Sequence, residues 1–164
     1  MAQAARTEPL RDDELLISRS FNAPLTLVWR MWEDADHMRR WWGPEGFRIV
    51  SLAADFRPGG KWRVHMHSGQ YGEGWSGGEF RQIEPKHRIV FTFAWEEGTG
   101  DTTDTLVTVD FTEANGVTTQ SFHQTPFSSV ASRDSHVLGW NSLFNKEAIY
   151  AAALAQGTTL LPLD

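Results

Sequence analysis

The 164-residue sequence contains no cysteine. Disulfides, thiolate zinc sites and a cysteine nucleophile are therefore excluded. Lysine is scarce, with three residues, and the formal net charge is -6. A nucleic-acid partner needs clustered Lys and Arg to replace counterions. Here the densest basic pair is Arg39-Arg40, which a solvated helix face explains, so no nucleic-acid binding is expected. No apolar run approaches the ~18 residues that cross a bilayer, and membrane insertion is not expected either. The opening "MAQAARTEPLRDDE" lacks the apolar core of a signal peptide, and a cytoplasmic location follows by default. Aromatic residues, by contrast, are abundant. Eight Trp and ten Phe exceed what simple core filling needs, and flat rings are a common pocket lining.

At this length one domain with a real core is expected. Residues 1–13 are polar and patternless and read as a loose tail, with a domain over 14–157 and a C-terminal tail over 158–164. "ELLISRSF" (14–21) reads as a strand. Pro24 suits a helix's first turn, and Leu25, Val28, Trp29 and Trp32 follow at i, i+3, i+4 and i+7. Asp34 then caps a second short helix that "WWGP" ends. Six β-like runs follow: "FRIVSLAADF", "GKWRVHMH", "GGEFRQIE", "RIVFTFAW", "TLVTVDF" and "VTTQSFHQ". The pieces between them, "RPGG", "SGQYGEG", "PKH", "EEGTGDTTD" and "EANG", are rich in turn residues, so an antiparallel meander is expected. From Ser128 to Gln156 the pattern is helical again, with His136, Trp140, Leu143, Glu147, Tyr150 and Leu154 at spacings of three and four. Gly157 fits its stop. Gly139 inside it costs ~1 kcal/mol relative to alanine, which a close neighbour would justify.

These residues carry a family resemblance. "APLTLVWRMWED" leading to "WWGP", "DFRPGGKW", "GEFRQIEPKHRIVFTF" and "GWNSLF" occur in order over roughly residues 14–155. In this the chain resembles the START-like, or helix-grip, superfamily, and within it the branch related to activators of the heat-shock-protein-90 ATPase. The resemblance implies an α+β fold, in which a strongly bent antiparallel sheet of about seven strands grips a long C-terminal helix. Two short helices follow the first strand, and an internal cavity lies between sheet and long helix. Members of the wider superfamily bind lipids, sterols, polyketides or plant hormones, and some catalyse cyclisation or dehydration. The pattern contains no universal catalytic residue, so it carries fold further than function.

Alternation nominates the candidate site. Trp62, Val64 and Met66 share one strand face, expected toward the long helix, while Arg63, His65 and His67 share the other. Phe91 and Phe93 lie on one face of their strand, and Trp75, Trp95, Trp140 and Phe144 add rings. Any one of these residues serves equally well as solid core. In the last run, Thr119, Ser121 and His123 share a face opposite Phe122. By analogy with the family, His123 is on the cavity side, and the three would form a polar rail along an apolar pocket. Alternatively Phe122 points inward and the rail meets water; alternation leaves both open. Trp42, at the end of the second short helix, is expected to wall or cover the cavity. His65-x-His67 could share an ion, but no third ligand is assignable from the sequence, and neither metal nor cofactor is expected. "DFRPGGKW" reads as a structural turn.

The leading expectation is a domain that binds a small, largely apolar or aromatic molecule in the cavity. An enzyme with acid-base chemistry by His123 and a carboxylate such as Glu79 is the alternative. A protein-interaction role like that of the chaperone activators is a third, although those proteins add an N-terminal domain for which 164 residues leave no room. Exposed edges and aromatics also allow a homodimer, with no interface derivable from sequence.

Overall fold

The computed structural model of the chain describes residues 8–157. Its elements are β1 (Leu15–Phe21), α1 (Leu25–Glu33), α2 (Ala35–Met38), β2 (Arg48–Ala54), β3 (Lys61–Ser68), β4 (Gly72–Glu84), β5 (Arg88–Trp95), β6 (Thr105–Ala114), β7 (Val117–Thr125) and α3 (Val130–Ala155). The seven strands form one antiparallel sheet in the order β1-β7-β6-β5-β4-β3-β2. The meander runs from β2 to β7, and β1 closes beside β7. The two short helices bridge from one sheet edge to the other, and α3 lies in the curl. The architecture is the expected helix grip.

Local chemistry explains most boundaries. Pro24 serves as the N-cap of α1, just outside the helix, and the backbone N–H of Leu25 is satisfied by the Glu113 carboxylate at 2.8 Å. The Asp34 side chain accepts from Asp36 N at 2.9 Å and starts α2. Asn115 and Gly116 take φ of 54° and 76°, the left-handed pair that a two-residue hairpin turn needs. Ser129 caps α3 by accepting from Ser132 N, and Gly157, at φ 81°, ends it.

One boundary departs from expectation. "SGQYGEG" is mostly strand, because β4 already begins at Gly72. Its glycines concealed it, since glycine disfavours strands unless a neighbour crowds the position. Gly74 is crowded in this way: a Cβ there would sit 3.1 Å from the Trp95 ring. The register slip between Phe80 and Gln82 bends the same strand further.

The expected tails lie largely outside the described residues. Of their described part, residues 8–13, two carbonyls are bound to the body. Phe127 N donates to Asp13 O at 2.9 Å, and Arg133 donates to Asp12 O at 3.2 Å. Among the described residues no helix is long and apolar enough to cross a membrane.

Candidate functional site

The two tryptophans of "WWGP" are both inside the protein. Trp41 is fully buried, and its indole donates to Met31 O at 3.1 Å. Trp42 is 4% exposed, packing edge-to-face on Trp32, Trp62 and Trp140. They lie in the turn that follows α2, where backbone carbonyls need partners outside a helix. Lys146 of α3 supplies the donors, its ammonium reaching Trp42 O at 3.0 Å and Gly43 O at 3.1 Å, and burial pushes its pKa down. Ser142 accepts from Glu45 N at 2.8 Å. The loop after α2 is thus fastened to α3 at two points.

Beyond that loop lies a half-open cleft of about 360 Å³, between the first half of α3 and strands β3 to β5. Trp42 and Leu143 form its inner end, Phe93 and Trp95 one wall, and Trp140 and Gly139 the other. Phe47 and Tyr71, stacked with centroids 6.0 Å apart, stand at the mouth. A second space, beside Trp62, Val64 and Phe91, amounts to about 10 Å³, too little to admit more than a water. Elsewhere the protein's own rings fill the grip.

The cleft's indoles are held in place. Trp140 donates to Gln124 Oε1 at 2.7 Å, Gln124 donates to Thr105 Oγ1 at 2.8 Å, and Thr105 donates to Phe93 O at 2.7 Å. Trp95 donates to His136 Nε2 at 3.0 Å, which leaves Nδ1 of that ring to donate to Ser132 O at 2.7 Å. The walls are therefore pre-organised rather than collapsible.

Polar groups gather at the rim. Asp101 accepts from the Ser128 and Ser132 hydroxyls, both at 2.6 Å, and from Thr103 N at 3.0 Å. These donors, Ser128 first, hold its carboxyl well below the usual range. Glu73 is hydrogen-bonded by His65 and, at 2.8 Å, by His67, and both contacts lower its pKa. Among the described residues no group of three or more His, Cys, Asp or Glu is placed to hold a metal ion.

Of the expected site residues, Trp42, Met66, Phe93 and Trp140 line the cleft together. Trp62, Val64, Phe91 and Phe144 face the same way but belong to the packed core. Trp75 is on the outer face, stacked at 3.9 Å on His65 with the Arg63 guanidinium 4.2 Å from its ring. The rail expectation is corrected: Thr118, Gln120, Phe122 and Gln124 are buried, and Thr119, Ser121 and His123 lie half-buried on the other face. His123 meets Glu14 at 2.7 Å, whereas Glu79 stands beside Arg81 on β4. The inward glutamines are kept by partners that adjacency does not reveal. Gln120 accepts from the Trp32 indole at 3.0 Å and donates to Glu147 at 3.0 Å.

Gly139 also differs from expectation. Its nearest neighbour to an added Cβ is Pro44 Cγ at 3.9 Å, an ordinary contact, so space rather than crowding surrounds it. Gly139→Ala should therefore stabilise the protein by about 1 kcal/mol, read as a higher denaturant midpoint. A loss of stability would mean that the close packing assumed from sequence exists after all.

No functionally curated protein is significantly similar to the chain. Among solved structures, a protein from Chromobacterium violaceum matches with 22% identity and a TM-score of 0.77, covering 87% of this chain and 99% of that one. The AHSA1 protein from Silicibacter pomeroyi matches with 21% identity and a TM-score of 0.75, over 86% of this chain and 99% of that one. CalU16 from Micromonospora echinospora is more distant, at 17% identity and a TM-score of 0.63, over 88% and 79%. At these identities the likeness is one of fold. The family model described as "Activator of Hsp90 ATPase homolog 1-like protein" matches residues 22–151, from the turn before α1 to the last turns of α3. With its seven-stranded curl, gripped helix and this match over most of its length, the chain belongs to the activator of Hsp90 ATPase homolog 1-like family.

Proposed function

We propose that the protein binds a small, largely apolar molecule in the cleft between the sheet and α3. The single observation that supports this reading is a ring-walled space of about 360 Å³ whose indoles are tethered by hydrogen bonds. That volume lies within the range of small-molecule sites, roughly 300–1,000 Å³. A core that merely packed would have let the rings close on one another. The alternative of acid-base chemistry in the same cleft loses its named base, since His123 lies on the outer face.

Gly139 offers a test that spares the core, because it borders the cleft and tolerates a side chain. Nile red, a neutral dye, should quench tryptophan fluorescence on binding the wild-type protein. In Gly139→Leu the added side chain occupies the cleft, so dye affinity should fall by at least ~10-fold, the equivalent of ~1.4 kcal/mol. Melting temperature should not drop, as leucine is the better helix former. Equal dye affinity in a folded Gly139→Leu protein would remove the cleft from consideration.

A further inference from the structure

We infer that the molecule accepted by this cleft is an aromatic cation, an amine or amidinium on a flat ring system, rather than a fatty acid or another anion. The inference rests on the binding reading above and adds the charge of the ligand. It comes from the polarity of the lining. Among the described residues no lysine or arginine lines the cleft, whereas the carboxylate of Asp101 stands at its rim beside Ser132; Glu73 also borders the space, but His65 and His67 hold its carboxylate on the outer face. Of the cations close in sequence to the lining, Arg48 sits opposite His67 on the outer face, and Arg133 is held by Asp134 and the Asp12 carbonyl. Lys146 binds the Trp42 and Gly43 carbonyls, and Arg63 forms a two-bond pair with Glu96 at 2.7 and 2.8 Å. His136 has one ring nitrogen donating to Ser132 O and the other accepting from Trp95. It offers no donor to an anion.

An anionic ligand would therefore leave water without a counter-charge, beside the Asp101 carboxylate, in a chain of net charge -6. A cation meets the opposite conditions. The hydrogen bonds from Ser128, Ser132 and Thr103 keep Asp101 ionised. This carboxylate is not saturated, since it has about four acceptor positions and uses three with the donors named above. The walls contribute as well. The rings of Trp42, Trp95 and Trp140 border the same space, and indole is the strongest of the side-chain partners for a cation over its face.

The test is a matched set of probes on one ring system: 1-naphthylmethylamine, 1-naphthalenemethanol and 1-naphthoate, titrated by calorimetry into the full chain at neutral pH and low salt. The amine should bind at least ~10-fold more tightly than the naphthoate, with the alcohol between them, and added salt should narrow the gap. Asp101→Asn should shrink the amine-to-naphthoate ratio by several-fold, whereas Glu73→Gln, which removes a charge on the outer face, should leave it nearly unchanged. Asp101 also ties the β5–β6 loop to the start of α3, so Asp101→Asn is read only where the protein stays folded, and the wild-type probe series stands without it. Naphthoate binding as well as or better than the amine overturns the charge assignment while the alcohol's binding still upholds the cleft. A ratio unchanged in a folded Asp101→Asn overturns it too. If none of the three binds, the binding reading itself fails and this inference falls with it.

Discussion

Replacing Trp32 by alanine should lower the stability of this protein by about 5 kcal/mol, a large part of what a domain of this size possesses. The ring is 1% exposed, with centroids 4.9 Å from Trp41, 6.0 Å from Trp42, and 6.2 Å from both Phe91 and Phe111. Truncating a buried tryptophan costs about 3–5 kcal/mol through lost transfer energy and the cavity left behind. A second cost follows. The Trp32 indole N–H donates at 3.0 Å to Gln120 and at 3.2 Å to Glu147, both fully buried, and deleting it strands two acceptors. Trp32→Phe separates the two effects. It retains most ring contacts and loses only the donor, so it should cost about 1–3 kcal/mol. Urea unfolding of both variants, followed by far-ultraviolet dichroism, reads the difference. A loss below about 2 kcal/mol for Trp32→Ala would mean that the aromatic cluster is not the core's keystone.

The second large effect concerns pH. Glu147 lies on the buried stripe of α3 with no exposed surface, and burial pushes its carboxyl up to about 8 despite hydrogen bonds from Gln120 and Trp32. At neutral pH it is therefore a protonated acid in the folded protein and a carboxylate in the unfolded chain. Between the unfolded value of 4.5 and about 8 the native state holds a proton that the unfolded state has released. Stability contributed by this group is then complete below the lower value and is lost as pH rises through the window, at up to about 1.4 kcal/mol per pH unit. Glu147→Gln keeps the size and the polar contacts but removes the titration. The variant should match wild type near pH 5 and exceed it by several kcal/mol near pH 8.5. The comparison isolates Glu147, because the depressed acids Asp101, Glu73 and Glu96 release their protons below this window in the folded protein. Parallel stability curves for the two proteins would show that Glu147 is ionised or hydrated in the native state.

Which parts were readable in advance follows from how local each signal is. Asn115-Gly116, the Asp34 cap and Gly157 act within a few residues, so their turns and helix ends could be named from the chain alone. Gly74 misled for the converse reason. Glycine there answers to side chains supplied by other strands, Trp95 and Met66, which sequence order does not display. Glu147 sat on an apolar stripe, and that placement was the available hint of a buried acid. Its partners, Trp32 and Gln120, lie 115 and 27 residues away.

By itself the sequence determined the order of elements: strand, two short helices, six-strand meander and long helix all follow from periodicity and turn chemistry, which are local, while the helix grip was implied by the ordered motifs through the family they resemble. Only the tertiary structure decided which face of β7 turns inward, because Thr119, Ser121 and His123 are no more polar than Gln120 and Gln124, and the choice fell to the glutamines through Trp32, Glu147 and Trp140. It also divided the rings between solid core and cleft wall. Alternation assigns a side chain to a face, but whether a partner fills the space in front of it depends on where distant elements come to rest.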